Sequence, residues 1–354
     1  MKKFISVILF LSVLAFSLSS CSVQDKSVIT VNDTTDVDAA VFTYFLNDAY
    51  YSDKGYTESE CIDIATSESL KYIAVNTRFA QTAGSLTLDE KADVSQEVNA
   101  LWRIYGDYLT EIGVTKDAYF KIKQYEYCKE NLRFSLYDTN GTQPINEAYI
   151  QQYFTTNYVG IKYFYQELYT VKSADEIAAM SDYDRKIYES SKQSAQSRYE
   201  YISSLANYVN SSVYTMNEAF MAATGEIYAD VSVSATVIDK QSSSFSAEFI
   251  DAVTMQSVGS AFIITNSDRS YIYLIERIDL LDTKYDFYSQ YRDICLKAVS
   301  ESYFNNEINS WVQSYTAVRH LSVAEKCLTD IKKVDRSKYV GTDGYEFNSF
   351  QLKR

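Results

Sequence analysis

The sequence predicts a mostly helical α+β protein in which a small strand-containing unit lies between helical segments. The 354 residues include only 10 glycines and 1 proline, and so few breaker residues favour long helices. Apolar residues recur at helical spacing on both sides of the middle of the chain. A strand-like texture begins only at Val159, in VGIKYFYQELYTV. Together these observations predict a helical module with an inserted α+β unit.

The first residues have the layout of a secretory signal peptide. A Lys-Lys pair precedes an uncharged apolar run from Phe4 to Leu18, and the run is too short to span a bilayer as a stable helix. The run ends in Leu-Ser-Ser-Cys, which is similar to the bacterial lipobox. That similarity implies removal of residues 1–20 and a lipid on the sulfur of Cys21. The alternative is an ordinary signal peptide with an incidental cysteine.

The next segments predict the helical module. Residues 21–35 are expected to form a lipidated tether and a first strand, and residues 36–157 the N-terminal helices. One helix is predicted from Glu58 to about Thr82 by its apolar spacing. Another begins at Thr87, where TLDE places a glutamate three residues after a threonine, the pattern of a capping box. DTNGTQP then gives the clearest break, before the short helix INEAYIQQYFTTNY.

Residues 158–282 are predicted to form the small α+β unit. Its first strand is followed by a long polar helical insert over 173–208 and by DVSVSATVID, which alternates like a strand. The helix SAEFIDAVTMQ, a turn at Gly259 and two strands in AFIITNSDRSYIYLIERIDL complete it. A helical pattern returns from Tyr285 to about Val318, within a C-terminal helix segment 283–325. The weakly patterned residues 326–354 are predicted to be a partly loose tail.

Composition excludes several classes of function. A net charge of −14 without a basic block argues against binding to nucleic acid or to anionic lipid by charge alone. No CxxC occurs and His320 is the one histidine, so no metal site or cofactor is predicted. Ser-His and Cys-His catalysis both need a positioned histidine. The sequence leaves open whether the remaining cysteines form disulfides or stay as buried thiols: Cys61, Cys128, Cys295 and Cys327.

The order of these segments resembles the exported foldases of the PrsA type and the periplasmic chaperones of the SurA type. VITVNDTTDVDAAVFTYFL is similar to the opening of those proteins, and INEAYIQQYFTTNY to the helix that leads into their parvulin domain. In FSAEFIDAVTMQSVGSAFIITNSDRSYIYLIERID, residues Phe249, Ala252 and Gly259 match the spacing of the parvulin ending. YFNNEINSWVQSY resembles the closing helix. The resemblance covers about residues 27–325 and implies a helical chaperone module with an inserted parvulin-like domain.

The sequence departs from that family where the resemblance would place catalysis. Active parvulins have two histidines facing each other across the proline site, and the alignment puts Tyr165 and Ile272 at those positions. The family's Gly-Gly-Asp-Leu-Gly stretch is also missing, and His320 lies outside the unit. The resemblance implies that Phe245, Phe249 and Tyr165 keep part of a proline-binding wall. The alternative is that both phenylalanines are simply core residues.

The sequence therefore predicts a membrane-anchored extracytoplasmic chaperone or foldase whose parvulin unit is catalytically degenerate. Its partners would be unfolded or newly exported polypeptides, and its location the outer face of a bacterial cell membrane. One alternative is an active peptidyl-prolyl isomerase that works without the usual histidines. Alternatives from other classes are a solute-binding lipoprotein of a transporter and a structural adaptor. Solute-binding lipoproteins have two α/β lobes with many glycine and proline turns, which this composition does not favour.

Overall fold

A computed structural model of the chain describes residues 27–225, 233–241 and 244–339. The predicted signal peptide, the predicted lipidation site Cys21 and residues 340–354 of the predicted tail lie outside the described residues. The described residues form two compact units. Unit 1 comprises the described residues up to Pro144 and from Ser300 onward, and unit 2 comprises Ile145–Val299.

The described chain is mostly helical with two antiparallel sheets, which confirms the predicted fold class. Helix α10 contains the second boundary between the units, so its first half belongs to unit 2 and its second half to unit 1. In chain order the elements are β1 (Ser27–Val31), β2 (Thr35–Asp38), α1 (Ala39–Tyr50), α2 (Glu58–Thr82), α3 (Leu88–Glu111), α4 (Lys116–Tyr137), α5 (Glu147–Asn157), β3 (Tyr158–Glu167), α6 (Ala174–Ala179), α7 (Asp182–Asn210), α8 (Met216–Thr224), β4 (Ala235–Asp239), α9 (Ala247–Thr254), β5 (Ala261–Thr265), β6 (Tyr271–Ile278), α10 (Phe287–Gln313), β7 (Ala317–Arg319) and α11 (Leu321–Lys333).

Helix starts in unit 1 follow from capping residues. The Thr87 N–H donates to a Glu90 carboxylate oxygen at 2.7 Å, and the Glu90 N–H donates back to the Thr87 hydroxyl at 3.2 Å. Thr57 and Glu60 form the same capping box before α2. These pairs satisfy backbone N–H groups that the first helical turn leaves without partners. Gly113 links α3 to α4 at φ +96°, a conformation that glycine adopts without steric cost.

The core of unit 1 lies between its helices and a small sheet of order β2–β1–β7. The first strand of the chain pairs with a strand near its end, because Ile29 lies opposite Arg319. Apolar stripes of α1, α2, α4 and α11 meet beside this sheet. Buried members of the core are Ile29, Phe42, Leu46, Ala65, Val75, Leu109, Ile122, Leu132, Leu328 and Ile331.

Unit 2 is built on an antiparallel sheet of order β4–β3–β6–β5. Because side chains alternate along a strand, the sheet has two faces with different partners. One face packs on α7 and α8 through Phe164, Ile272 and Leu274. The other packs on α9 through Ile161 and Ile275. Helices therefore pack on both faces of the sheet. On the face that carries α9, part of the surface remains open, and Tyr165 there is 48% exposed.

One sequence prediction near the end of the chain is wrong. The closing helix does not run to Val318, because α10 ends at Gln313 and β7 follows. The segment predicted as a partly loose tail from residue 326 begins inside α11, which continues to Lys333. The cause of the error at Val318 is a pairing partner far away in sequence. No local pattern marks the three exposed residues of β7 as a strand.

Candidate functional site

Alternating tyrosines on two neighbouring strands form the candidate site in unit 2. Tyr163 and Tyr165 lie on β3, and Tyr271 and Tyr273 lie on β6. In the register of the two strands, Tyr165 is directly opposite Tyr273. The period of two along each strand places all four rings on the face that carries α9. Together with Phe245 and Phe249, these four tyrosines are called the aromatic face.

Tyr273 lies at the centre of the aromatic face. Its ring centroid is 4.9 Å from that of Tyr165, 5.3 Å from Phe249 and 5.7 Å from Tyr271. Tyr163 lies 6.0 Å away on its other side. These separations are in the range of favourable edge-to-face and tilted ring contacts. The face is therefore one connected aromatic surface and not a set of separate side chains.

Helix α9 supplies the apolar end of the face. Its N-cap is Ser246, whose hydroxyl accepts a hydrogen bond from the Phe249 N–H at 3.3 Å. Phe249 then points at the sheet and is buried to 6% exposure. Phe245 stacks on Phe249 with centroids 4.3 Å apart and planes at 12°. Phe249 is thus a core residue and a wall of the site at once, while Phe245 remains half-buried.

Exposure increases from α9 toward the open end of the sheet. Tyr165 is 48% exposed, while Tyr163, Tyr271 and Tyr273 are partly buried. Burial raises the pKa of the Tyr273 hydroxyl, and the neighbouring Tyr165 adds to that effect. The phenol of Tyr273 is therefore neutral at physiological pH, where it can donate a hydrogen bond but does not act as a base. The face offers aromatic ring surface and phenol hydroxyls as hydrogen-bonding groups.

The structure brings together Tyr165, Phe245 and Phe249 of the sequence-predicted site residues, but not Ile272. Ile272 is fully buried on the opposite side of the sheet, in the core with α7 and α8. The side chain that faces Tyr165 across the strands is Tyr273, one residue later. A shift of one residue moves a side chain to the other face of a sheet, so Ile272 and Tyr165 do not share a face.

Sequence reasoning missed Tyr163, Tyr271 and Tyr273 as members of the site. The signal was present in two alternating patterns, KYFYQ on β3 and SYIYLI on β6. Each pattern places two tyrosines on one face of a strand. Only the pairing of β3 with β6 shows that the two pairs lie side by side, and sequence alone did not give that register.

His320 lies in unit 1, immediately before α11. Its Nε2 atom is 3.2 Å from the Thr30 hydroxyl, which in turn donates to Asp36 at 2.7 Å. The ring is exposed and joins β1, β2 and α11 in a surface network. The described residues contain no group of three or more His, Cys, Asp or Glu side chains placed to hold a metal ion. None of the described helices is both long and apolar enough to cross a membrane.

Comparison with known proteins gives matches among solved structures only. No family model and no curated protein matches the chain. The foldase protein PrsA from Lactococcus lactis is similar in structure, with 12% identity, a TM-score of 0.33, and coverage of 86% of this chain and 99% of that one. PrsA from Bacillus subtilis matches with 14% identity, a TM-score of 0.28, and coverage of 88% and 94%.

PrsA from Streptococcus pneumoniae strain Canada MDR_19A is a third similar structure. It has 12% identity, a TM-score of 0.32, and coverage of 76% of this chain and 85% of that one. All three structures are thus of the type that the sequence resembled.

Proposed function

We propose that this chain is a membrane-anchored extracytoplasmic chaperone that binds unfolded segments of exported polypeptides on its aromatic face. The observation that carries the proposal is the connected surface of four tyrosines and two phenylalanines around Tyr273. Within this surface Tyr165 is 48% exposed and Tyr163, Tyr271 and Tyr273 are partly open, and contiguous apolar surface that is open to solvent is typical of binding sites. The occupant is an extended segment with apolar, aromatic or proline side chains.

The chemistry of tyrosine suits a binder that must accept many sequences. A tyrosine ring gives a large apolar surface at a low cost in conformational entropy, and its hydroxyl bonds to whichever polar group is near. Covering roughly 100 Å² of ring surface contributes about 2.5 kcal/mol. Contacts of that size hold a segment weakly and release it readily, which is what a chaperone without a nucleotide cycle requires.

Catalysis of proline isomerisation is not part of the proposed activity. The barrier to rotation of a peptide bond is about 18–20 kcal/mol, and lowering it needs polar groups directed at the twisted imide. The positions that face each other across β3 and β6 hold Tyr165 and Tyr273, whose rings contact each other. Their hydroxyls can donate hydrogen bonds, so the same experiment that tests binding also tests isomerisation.

The binding test compares alanine variants of the chain from Ser22 to Arg354 in solution. Tyr165→Ala removes an exposed ring of the aromatic face, and Tyr183→Ala removes a 73% exposed ring on α7 as the matched control. We expect Tyr165→Ala to weaken binding of a permanently unfolded client at least about fivefold, while the control binds like the unaltered chain. Equal binding by the unaltered chain, Tyr165→Ala and Tyr183→Ala would contradict the proposal.

An Xaa-Pro peptide observed by NMR exchange spectroscopy separates binding from catalysis. We expect its resonances to broaden on addition of the protein, while the cis/trans exchange rate stays unchanged. A faster exchange rate that Tyr165→Ala abolishes would instead identify a histidine-free isomerase.

Membrane anchoring through Cys21 is the second part of the proposal and rests on the sequence of the first 21 residues. Two or more acyl chains hold a protein at a membrane far more firmly than one, because each buried CH₂ adds about 0.8 kcal/mol. Expression in a bacterium should place the unaltered chain in the membrane fraction and Cys21→Ala in the soluble fraction. A membrane-bound Cys21→Ala chain would show that the anchor lies elsewhere.

A further inference from the structure

Strand β7 is the edge of the unit 1 sheet, and its outer side is open in the described part of the chain. The sheet has the order β2–β1–β7, so β7 is hydrogen-bonded to β1 on one side only. All three of its residues are exposed. An open edge presents backbone donors and acceptors to which a further strand can pair.

The register shows which groups of β7 point outward. The Asn32 N–H donates to the Thr316 carbonyl and the His320 N–H donates to the Val28 carbonyl, both at 2.8 Å. Because hydrogen-bonded and non-hydrogen-bonded pairs alternate in an antiparallel ladder, Val318 is bonded to β1 and its two neighbours are not. The N–H and C=O groups of Ala317 and Arg319 therefore point away from β1. These four groups are called the β7 edge.

A groove of mixed polar and apolar lining lies next to the β7 edge. Its volume is about 450 Å³, and it is formed by the start of α2, by Arg319 and by one side of α11. Ile62 and Leu328 are nearly fully buried at its floor, whereas Leu321 is 48% exposed at its rim. This groove between α2 and α11 offers space for apolar side chains of a strand that pairs with β7.

Both cations that line the groove are paired with carboxylates, and Glu325 adds a further carboxylate to the lining. Arg319 forms an ion pair with Asp63 and Lys332 forms one with Glu58, each at 2.5 Å. Both signs are present and each cation has a carboxylate partner, so these pairs provide no strong preference for a charged ligand. Recognition at this place would depend on the backbone ladder and on apolar contact.

We propose that the β7 edge binds an extended segment of an unfolded polypeptide by strand addition, with side chains of the segment in the groove between α2 and α11. The proposal rests on the proposed function, since it names a second client site of the same chaperone. A backbone ladder accepts nearly any sequence except proline at the bonded positions. It therefore complements the aromatic face, which favours aromatic and proline side chains.

A client segment fits the β7 edge better than a second copy of the chain does. Stable interfaces between proteins bury about 1,200–2,000 Å². Pairing of two three-residue strands covers only a small part of that area. Transient binding of a single extended segment needs less buried area than a stable dimer does. The occupant is thus a short extended peptide.

Residue-resolved amide hydrogen exchange tests whether the edge is open. In the free chain we expect the Ala317 and Arg319 amides to exchange at least about tenfold faster than those of Val318 and His320, which are bonded to β1. An extended peptide of alternating threonine and valine should slow the first pair. Protection of Ala317 and Arg319 in the free chain would overturn the proposal, because the edge would already be occupied.

A single proline substitution tests whether the peptide forms backbone hydrogen bonds with β7. Ala317→Pro removes an N–H that β1 does not use, so the sheet should remain intact, as edge strands allow. We expect this variant to bind the threonine–valine peptide at least about fivefold more weakly, the effect of one lost hydrogen bond. Ala317→Val keeps the N–H, so any weakening that it shares with Ala317→Pro would come from the side chain and not from the ladder.

A peptide variant gives the same answer without changing the protein. The threonine–valine peptide with N-methyl groups on its central residues cannot form the ladder, and it should not bind. Equal binding of the methylated peptide, or of Ala317→Pro, would show that the ladder is not used. A dimer in sedimentation that Ala317→Pro dissociates would also overturn the proposal, in favour of an edge between two copies.

The two client sites can be distinguished with one unfolded protein. If Ala317→Pro binds it as the unaltered chain does and Tyr165→Ala binds it weakly, the proposed function stands and the β7 edge does not. If Ala317→Pro weakens binding and Tyr165→Ala does not, the β7 edge stands and the role of the aromatic face fails.

Discussion

A buried guanidinium joins two helices in unit 1. Arg133 on α4 is 1% exposed, lies 2.7 Å from a carboxylate oxygen of Glu301 on α10, and covers the ring of Phe304 at 4.7 Å. A charge in such a place is stable only while its partners remain, because removing it from water is costly. Glu301 is half exposed and can be solvated alone. The two members of the pair are therefore not equivalent.

Loss of the carboxylate should destabilise unit 1 more than loss of the cation. We expect Glu301→Ala to lower the free energy of unfolding by about 1–2 kcal/mol, because it leaves Arg133 buried with weaker compensation. Arg133→Met keeps nearly the same side-chain volume and should lower the free energy of unfolding by less than Glu301→Ala does. Urea unfolding measures the loss of stability in both variants. The control is Asp330→Ala, which breaks a surface ion pair with Lys333 and should lower the free energy of unfolding by less than about 0.5 kcal/mol. The reverse order of the two values would contradict this account.

Ring surface and hydroxyl make separate contributions at Tyr165. The ring is 48% exposed and the hydroxyl is at the open end of the aromatic face. If the face binds through ring contact, Tyr165→Phe should bind an Xaa-Pro peptide within about twofold of the unaltered chain, because the apolar area is unchanged. Fluorescence anisotropy with a labelled peptide gives the comparison. Weak binding by Tyr165→Phe would instead assign the contact to the hydroxyl.

At the scale of elements, capping residues determine where the long helices of unit 1 begin. Thr87 and Glu90 exchange hydrogen bonds at the start of α3. Thr87→Ala removes the hydroxyl, which accepts from the Glu90 N–H and donates to the Glu90 carboxylate, and we expect it to lower the free energy of unfolding by about 1 kcal/mol. Thr329→Ala on the exposed side of α11 is the matched control, since its hydroxyl only bonds to the Glu325 carbonyl within the helix. Chemical denaturation followed by circular dichroism should show no loss for Thr329→Ala.

The same local signals explain which elements were predictable. Apolar spacing predicts helix α2 and the capping box at Thr87 predicts the start of α3, and the structure has both helices at those positions. Helix α11 was missed although Ala324, Leu328 and Ile331 have helical spacing, because His320 at its N-cap position gives no side-chain cap. Strand β7 was missed since its partner lies almost the whole chain away. Capping residues and apolar spacing therefore predict helices, whereas a strand that depends on a partner distant in sequence leaves no local pattern.

The candidate site was predictable in composition but not in geometry. The sequence predicts Phe245, Phe249, Tyr165 and Ile272 as site residues, and the structure places the first three on the face that carries α9 and Ile272 on the other face. A strand buried on one face and partly exposed on the other gives two alternating sets of apolar residues, and tyrosine and isoleucine are both common in strands. Only the register between β3 and β6 decides which set faces α9.

At the scale of the whole molecule, four cysteines are buried as free thiols in the described residues: Cys61, Cys128, Cys295 and Cys327. Burial raises the pKa of the Cys128 thiol to about 12 and that of Cys295 to about 11. The thiolate is the reactive form, so the raised pKa and the lack of access for a reagent both protect these thiols. We expect Ellman's reagent to label them only in denaturant. Rapid labelling of the folded chain would contradict the structure.

Buried phenols should make the fold sensitive to alkali. Burial raises the pKa of Tyr158 to about 12 and raises those of Tyr44, Tyr72 and Tyr119 further. An unfolded tyrosine ionises near pH 10, so the folded state keeps protons that the unfolded state loses above that pH. The stabilisation is complete below about pH 10 and is lost as the pH rises through the folded pKa values.

The expected result is a flat urea midpoint from pH 7 to about 9 and a steep fall above about 10. Absorbance at 295 nm should show a group of tyrosines that ionise only as the circular dichroism signal is lost. Full ionisation with the fold intact would mean that these rings are open to solvent.

The pairing of Ile29 with Arg319 also has a consequence for the time course of biogenesis. A chain that crosses a membrane with its N-terminus first delivers β1 long before β7, and non-local contacts of this kind slow folding. Unit 2 is one continuous stretch, Ile145–Val299, and all of it has emerged before β7 does. The inserted unit can therefore fold while the surrounding unit still lacks its last strand. A chain delivered in this order would pass through a stage in which β1 is paired with β2 alone and its other edge is open.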